Sequence, residues 1–140
     1  MRGFLFANKL KSIPINCSMK RFIKSLGYAL NGWTLFFTKE KNGQIQSAIA
    51  ILVIIAGFIL YISNMEWLII LLCMGLVLAM EMTNSVIEKL IDFLNPAQHP
   101  QIKWIKDVAA GAVLWTAVLS AIIGTIIFLP KIILIFYHGK

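Results

Sequence analysis

The sequence is short of charged side chains, and acidic ones are the scarcest. Asp and Glu together number 6 against 13 Lys and Arg, and the four charged types make up 14% of the 140 residues. A soluble domain carries about 25% charged residues. Hydrophobic residues reach 59%, so the chain cannot cover an apolar core in water. This composition excludes an ordinary soluble domain and favours a small integral membrane protein.

The sequence also has few cysteines and no recognisable signal peptide. The two cysteines, Cys17 and Cys73, are too few for a disulfide framework. No apolar segment with a small-residue cleavage site follows the charged start, so we expect the internal hydrophobic segments to direct insertion. The net charge of +7 does not indicate nucleic-acid binding, because the rest of the chain is lipid-like rather than a basic globular surface.

Hydrophobic periodicity predicts an all-α integral membrane protein. Residues 1–18 show no periodicity and are expected to form a disordered tail, and 19–140 to form one membrane domain. Apolar residues recur at helical spacing over 20–39, with basic residues on other faces, which predicts an amphipathic helix in the membrane interface. A soluble helix packed on a core is the alternative. Because a span needs about 20 helical residues, three transmembrane helices are predicted at 45–62, 67–94 and 108–129.

The basic residues predict an orientation. Eight of them precede residue 45, and three lie in the connector at 83–107, whereas the connector at 63–66 has none. By the positive-inside rule, the N-terminus and the 83–107 connector are cytoplasmic, and the short turn and C-terminus are outside.

A polar stripe interrupts the second predicted span. At 100° per residue, Glu81, Asn84, Glu88 and Asp92 fall within about 80° of one another on a helix. Carboxylates at that depth are expensive and are usually paired or functional. A polar clamp between helices, or a solvated helix end, is the structural alternative. Converging carboxylates suggest a Mg²⁺ site, and Lys106 supplies positive charge for a phosphate, which together favour phosphoryl transfer to a lipid.

The spacing of these residues resembles the prokaryotic diacylglycerol kinase family, which includes the undecaprenol kinases. The resemblance covers about residues 20–128, and it depends on Glu40 and on the segments EMTNSVIEKLID (81–92), KDVAAGAVL (106–114) and GYALNGW (27–33), with His99 between two of them. Residues 41–47 depart from the family, because Gln44 and Gln46 stand where its members usually have ionisable side chains.

The resemblance implies a homotrimeric kinase in the bacterial inner membrane, with composite active sites at the cytoplasmic face. The kinase would use ATP and Mg²⁺ to phosphorylate the hydroxyl of a membrane lipid alcohol. The first candidate substrate is diacylglycerol, which would become phosphatidate, and the alternative is undecaprenol. By position, Glu81 resembles the general base, and Glu40 and Glu88 resemble the metal ligands. Asn84 and Asp92 would orient the carboxylates. The nucleotide-contacting positions correspond to Arg21, Tyr28, His99, Lys106 and Asp107.

A rival of another class is a non-catalytic membrane protein or an ion-pathway subunit. Such a protein needs ionisable groups near mid-membrane on more than one span. Here the first and third predicted spans contain no charged residue, which favours chemistry at the interface. Without the resemblance, Arg21 would be interpreted as a head-group contact, Tyr28 as an interfacial aromatic and His99 as a loop residue.

Overall fold

The computed structural model describes residues 15–94 and 99–138, and these residues form four α-helices. The helices are α1 (Ile15–Lys39), α2 (Lys41–Ile59), α3 (Asn64–Leu94) and α4 (Pro100–His138). The predicted all-α class is confirmed. Residues 1–14 of the expected tail, and 95–98 between α3 and α4, lie outside the described residues. The chain divides into two units, Met1–Phe36 and Phe37–Lys140.

The first unit contains most of α1. Its side chains from Met19 to Leu35 are all exposed, and they include the apolar residues Phe22, Leu26 and Trp33 as well as basic ones. The Lys24 ammonium lies 5.9 Å from the centroid of the Tyr28 ring, a cation–π distance. Exposed aromatic and basic side chains on one helix are typical of an interfacial helix.

The second unit contains the three helices that are long and apolar enough to cross a membrane, which are α2, α3 and α4. The sequence required the second span to continue into the polar stretch after Met80, and α3 does so without a break from Asn64 to Leu94. Helix α4 begins at Pro100, where proline's missing N–H is not needed. It continues through Pro130, which membrane helices tolerate.

The turn between α2 and α3 is stabilised by a capping box and by close packing of the two helices beside it. Ser63 and Glu66 form a capping box, in which the Glu66 amide donates to Ser63 Oγ at 3.3 Å and the Ser63 amide donates to Glu66 Oε2 at 2.6 Å. Tyr61 has a φ of 48° and is almost fully exposed. At Gly57 an added Cβ would lie 2.7 Å from Trp67 Cη2, so only glycine lets α2 approach the Trp67 ring this closely.

Most large apolar side chains of this unit are exposed, as expected of helices surrounded by lipid. A small buried cluster of Ile62, Ile70 and Ile127 joins the turn, α3 and α4. The antiparallel pair α3–α4 is also closed by an ion pair at each end. Lys131 Nζ lies 3.1 Å from Glu66 Oε2, and Lys106 Nζ lies 2.5 Å from Asp92 Oδ1. At about 1.5 Å per residue, Glu66 and Asp92 are about 39 Å apart along α3.

Candidate active site

The polar stripe of α3 passes from buried to exposed along the helix. Glu81 is 3% exposed and Asn84 is 5% exposed, and Ser85 beside them is also buried. Glu88 is half-buried, and Asp92 is exposed. The carboxylate of Glu81 therefore lies within the packed part of the spans, whereas Asp92 lies at their open end. The polar stripe therefore runs from the buried part of α3 to the exposed end of this helix.

Two oxygen atoms of this stripe have no partner. Glu81 Oε1 and Asn84 Oδ1 are buried and accept no hydrogen bond from the residues that the structure describes. The amide nitrogen of Asn84 does have a partner, because Nδ2 donates a hydrogen bond to Glu88 Oε1 at 3.1 Å. A buried acceptor left unpaired costs about 1–3 kcal/mol. Unpaired atoms of this kind are uncommon in native proteins, and they are explained when a ligand or reacting group supplies the missing donor.

Glu40 lies at the joint between α1 and α2. Its backbone is extended, with φ −93° and ψ 119°, so it is the residue at which the helical path breaks. Its carboxylate contacts α3, because Lys89 Nζ lies 2.7 Å from Glu40 Oε1. Gln44 stabilises the joint by donating from Nε2 to the Thr38 carbonyl oxygen at 3.0 Å. The fold thus brings Glu40 next to the residue that follows Glu88.

Three more residues of the predicted site lie at the beginning of α4 or directly before it. Lys106 is half-buried and paired with Asp92, whereas Asp107 and His99 are exposed. His99 precedes the helix and accepts a hydrogen bond at Nδ1 from the Gln101 amide at 3.2 Å. Lys106 and Asp92 are therefore in direct contact. Among the described residues, neither His99 nor Asp107 takes part in the Lys89–Glu40 or the Lys106–Asp92 ion pair.

Arg21 and Tyr28 belong to the first unit. Both side chains are exposed on α1, and Tyr28 contacts Lys24 as described above. Their assignment to the nucleotide therefore depends on the family resemblance alone.

The donor set fits a magnesium ion that also binds nucleotide. Among residues 15–94 and 99–138 no group of three or more His, Cys, Asp or Glu side chains could hold a metal. Mg²⁺, however, is commonly bound through one or two carboxylates plus substrate phosphates. Glu40 and Glu88 offer two carboxylates, and the unpaired Oδ1 of Asn84 lies on the same face of α3 as Glu88. The residues therefore suit a shared site and not an all-protein cage.

Two apolar grooves lie along the spans of the second unit. One of about 230 Å³, between α3 and α4, is lined by Asn84, Ile87, Trp104 and Val108 among others. A larger one of about 420 Å³ lies among α2, α3 and α4 and is lined mainly by apolar residues such as Val53, Ile70 and Phe128. Both could hold a hydrocarbon chain, and the smaller one includes a residue of the polar stripe.

Sequence reasoning overlooked two residues, Ser85 and Lys89. Ser85 lies four residues after Glu81, so the same helical spacing could have included it in the stripe. In the sequence, Lys89 is considered only as one of the basic residues that predict the orientation in the membrane. No sequence pattern indicates its contact with Glu40. Forty-nine positions separate the pair, and only the joint after α1 brings them together.

The second unit has three helices that are long and apolar enough to span a membrane. A buried carboxylate without a partner and two lysine–carboxylate pairs lie towards one end of them, which is typical of a membrane enzyme. Comparison with known proteins identifies which enzyme class this is. The sequence profile of the family described as prokaryotic diacylglycerol kinase matches residues 27–128.

Curated relatives agree with that match. An undecaprenol kinase of Bacillus subtilis is 42% identical over 114 residues, covering 81% of this chain and 93% of the relative. A diacylglycerol kinase of Synechocystis is 30% identical over 110 residues, covering 78% of this chain and 63% of the relative. A diacylglycerol kinase of Helicobacter pylori is 30% identical over 104 residues, covering 71% and 81%. The chain belongs to the prokaryotic diacylglycerol kinase family, and it is a bacterial membrane lipid kinase.

Proposed function

We propose that this kinase transfers the γ-phosphoryl group of ATP to the hydroxyl of undecaprenol, at the cytoplasmic face of the bacterial inner membrane. The choice of lipid is supported by sequence identity. The relative named undecaprenol kinase shares 42% with this chain over nearly its whole length, whereas the two reported relatives named diacylglycerol kinase share 30%. Diacylglycerol is the second candidate, because the family description and these two relatives carry its name.

The observation that supports the chemistry best is the unpaired carboxylate of Glu81. Along α3 it lies about 22 Å from Glu66 at the turn, and a hydrocarbon core is about 30 Å thick. With the turn at the outer boundary, Glu81 lies in the inner half of the bilayer, close to the head-group layer. A lipid hydroxyl resides at this depth and could donate its hydrogen bond to Glu81 Oε1.

In the proposed reaction Glu81 is the general base. The lipid oxygen forms a bond to the γ-phosphorus of ATP, the bond from that phosphorus to the ADP oxygen breaks, and the hydroxyl proton goes to Glu81. General base catalysis typically contributes about 10²–10⁴ in rate. The buried position excludes water, which would otherwise compete with the lipid for the phosphoryl group.

The remaining residues would position the nucleotide. Glu40 and Glu88 would hold the Mg²⁺ of the nucleotide, and Asn84 fixes Glu88 by the hydrogen bond at 3.1 Å. When bound, Mg²⁺ neutralises charge on the phosphates. Asp92 fixes the ammonium of Lys106, a cation suited to a phosphate oxygen. Further nucleotide contacts are assigned to Arg21, Tyr28, His99 and Asp107.

The orientation and the assembly are part of the proposal. Eight basic residues before residue 45 favour a cytoplasmic N-terminus, which gives the site access to ATP. A homotrimer is supported by the family resemblance. It is also supported by the stripe of small residues Ala112, Thr116, Ser120 and Gly124 on α4, which allows another helix to approach closely.

The test is phosphorylation of defined lipids by the purified protein in mixed micelles. Radiolabelled ATP is offered with undecaprenol, with diacylglycerol, or with both in competition, and Glu81→Gln serves as the inactive control. We expect undecaprenol to have the higher kcat/KM. A preference for diacylglycerol would mean that the proposed substrate is wrong, whereas the proposed kinase mechanism would still hold. Equal labelling of either lipid by Glu81→Gln and by the unmodified protein would contradict the role of Glu81.

A further inference from the structure

The contact between Lys89 and Glu40 places a fixed positive charge on an expected metal ligand. Lys89 Nζ lies 2.7 Å from Glu40 Oε1. The same ammonium also interacts electrostatically with Glu88 and Asp92. Lys89 therefore forms an ion pair with one carboxylate assigned to magnesium, and its charge also acts on the other one, Glu88. Removing the Lys89 ammonium would leave the negative charge of Glu40 without its partner.

We propose that Lys89 is a positioning residue of this kinase, whose ammonium takes the place of the divalent cation at Glu40 until the cation binds and displaces it. The inference rests on the proposed function, since it takes Glu40 as a magnesium ligand. It adds a competitor for that ligand, supplied by the chain itself. Lys89 holds the Glu40 carboxylate at the joint between α1 and α2, and it sets how much cation is needed to occupy the site.

The exposure of the two side chains supports an exchange rather than a permanent clamp. The Lys89 side chain is 68% exposed, whereas that of Glu40 is 24% exposed. Glu40 is held by its surroundings, but Lys89 can swing into water at little cost. An exposed pair of this kind is weak, because solvent screens the charges and the long lysine side chain loses freedom when it is held. A divalent cation can therefore replace the ammonium.

The Lys89 ammonium and a divalent cation compete for the Glu40 carboxylate, and this competition determines whether a Lys89 variant binds the cation more or less tightly. A cation that binds Glu40 must first break the pair and then tolerate the nearby ammonium. Removing the ammonium eliminates both penalties, so Lys89→Met should bind divalent cations more tightly than the unmodified protein. From the strength of exposed ion pairs, we expect the dissociation constant to fall roughly two- to five-fold. Lys89→Arg keeps the charge and should restore the original value.

The experiment measures Mn²⁺ binding directly, without turnover. The full-length protein in detergent micelles is titrated with Mn²⁺ alone, and the free ion is quantified from its electron paramagnetic resonance signal. Lys103→Met is the matched control, because it removes one exposed lysine from the first turn of α4 and leaves the Glu40 contact intact. Thermal unfolding of each variant identifies misfolding, and Lys89→Gln takes the place of Lys89→Met if that variant is misfolded.

The proposal is supported if Lys89→Met binds Mn²⁺ more tightly while Lys89→Arg and Lys103→Met match the unmodified protein. Equal affinity in all four proteins, weaker binding by Lys89→Met, or no Mn²⁺ binding by any of them would overturn it. Glu40→Gln separates this outcome from failure of the proposed function. If Glu40→Gln binds Mn²⁺ unchanged, the magnesium site itself is wrongly assigned. If Glu40→Gln loses Mn²⁺ but Lys89→Met is unaffected, only the role of Lys89 is wrong.

Discussion

The Lys106 ammonium lies 2.5 Å from Asp92 Oδ1, joining the end of α3 to the beginning of α4 across the 95–98 connection. Asp92 is exposed and Lys106 is half-buried, so the pair adds little to stability. In the proposed mechanism the pair orients the Lys106 ammonium. At the other end of the same two helices, Glu66 and Lys131 form a second pair far from the proposed site. This second pair provides a control for the first.

For the Asp92–Lys106 pair we predict an effect on nucleotide binding. Asp92→Asn removes the charge that fixes Lys106, so the KM for ATP should rise several-fold while kcat changes less. Glu66→Gln removes one charge from the remote pair and should leave the KM for ATP unchanged. Steady-state kinetics at saturating lipid would test this. An identical KM in Asp92→Asn and the unmodified enzyme would show that Lys106 needs no orientation by Asp92.

For the base we predict that Glu81→Gln lowers kcat by about 10²–10⁴ with little change in nucleotide affinity. Glutamine keeps the size of the side chain but cannot accept the proton. Nucleotide binding by a fluorescent ATP analogue, measured beside turnover, separates the two effects. Near-normal turnover would make Glu81 a structural carboxylate.

For the metal ligands we predict that Glu40→Gln and Glu88→Gln each raise the Mg²⁺ concentration for half-maximal activity. A neutral amide is a poorer ligand for Mg²⁺ than a carboxylate. The double variant should lose less than the sum of the single effects, because both ligands serve one site. Magnesium titrations of the four proteins decide this. An unchanged requirement in Glu40→Gln would leave Glu40 as a charge at a helix joint.

For the orientation we predict that a single cysteine in the 63–66 turn reacts with a membrane-impermeant thiol reagent in intact cells. A cysteine at position 98 should not react until the cells are opened. Both are placed in a background lacking Cys17 and Cys73. The reason is that the turn has no basic residue, whereas 83–107 has three, which lie at the end of α3 and the beginning of α4. Reversed labelling would separate the proposed site from cytoplasmic ATP.

For the packing of the spans we predict that Gly57→Ala destabilises the protein. The new methyl group would meet the Trp67 ring at 2.7 Å, and forced overpacking typically costs about 1–3 kcal/mol. Gly75→Ala is the matched control, because a Cβ there has no described atom within 4 Å apart from its chain neighbours and its own helix backbone. Thermal unfolding in detergent should show a lower midpoint for Gly57→Ala alone. An equal midpoint would mean that Trp67 moves away freely.

The sequence predicted features that depend on periodicity and missed those that depend on contact between distant residues. The continuity of α3 through Glu81 followed from apolar spacing that persists beyond the first acid. The stripe followed from the 100° rotation between residues, although the same rule should have included Ser85. The Glu40–Lys89 contact could not be predicted, because it depends on the extended backbone at Glu40. Likewise, no pattern indicated that Trp67 would lie over Gly57.

Sliding of α3 past α4 by one turn would break the ion pairs at both ends of the two helices. Such sliding is one way for a small membrane protein to adapt to a bilayer of different thickness. Here the hydrophobic mismatch has to be absorbed by tilting of the whole helix pair or by deformation of the surrounding lipid. Because α3 is continuous from Asn64 to Leu94, the distance of Glu81 from the turn is fixed by the helix itself. Lipids of any chain length must bring their hydroxyl to that level.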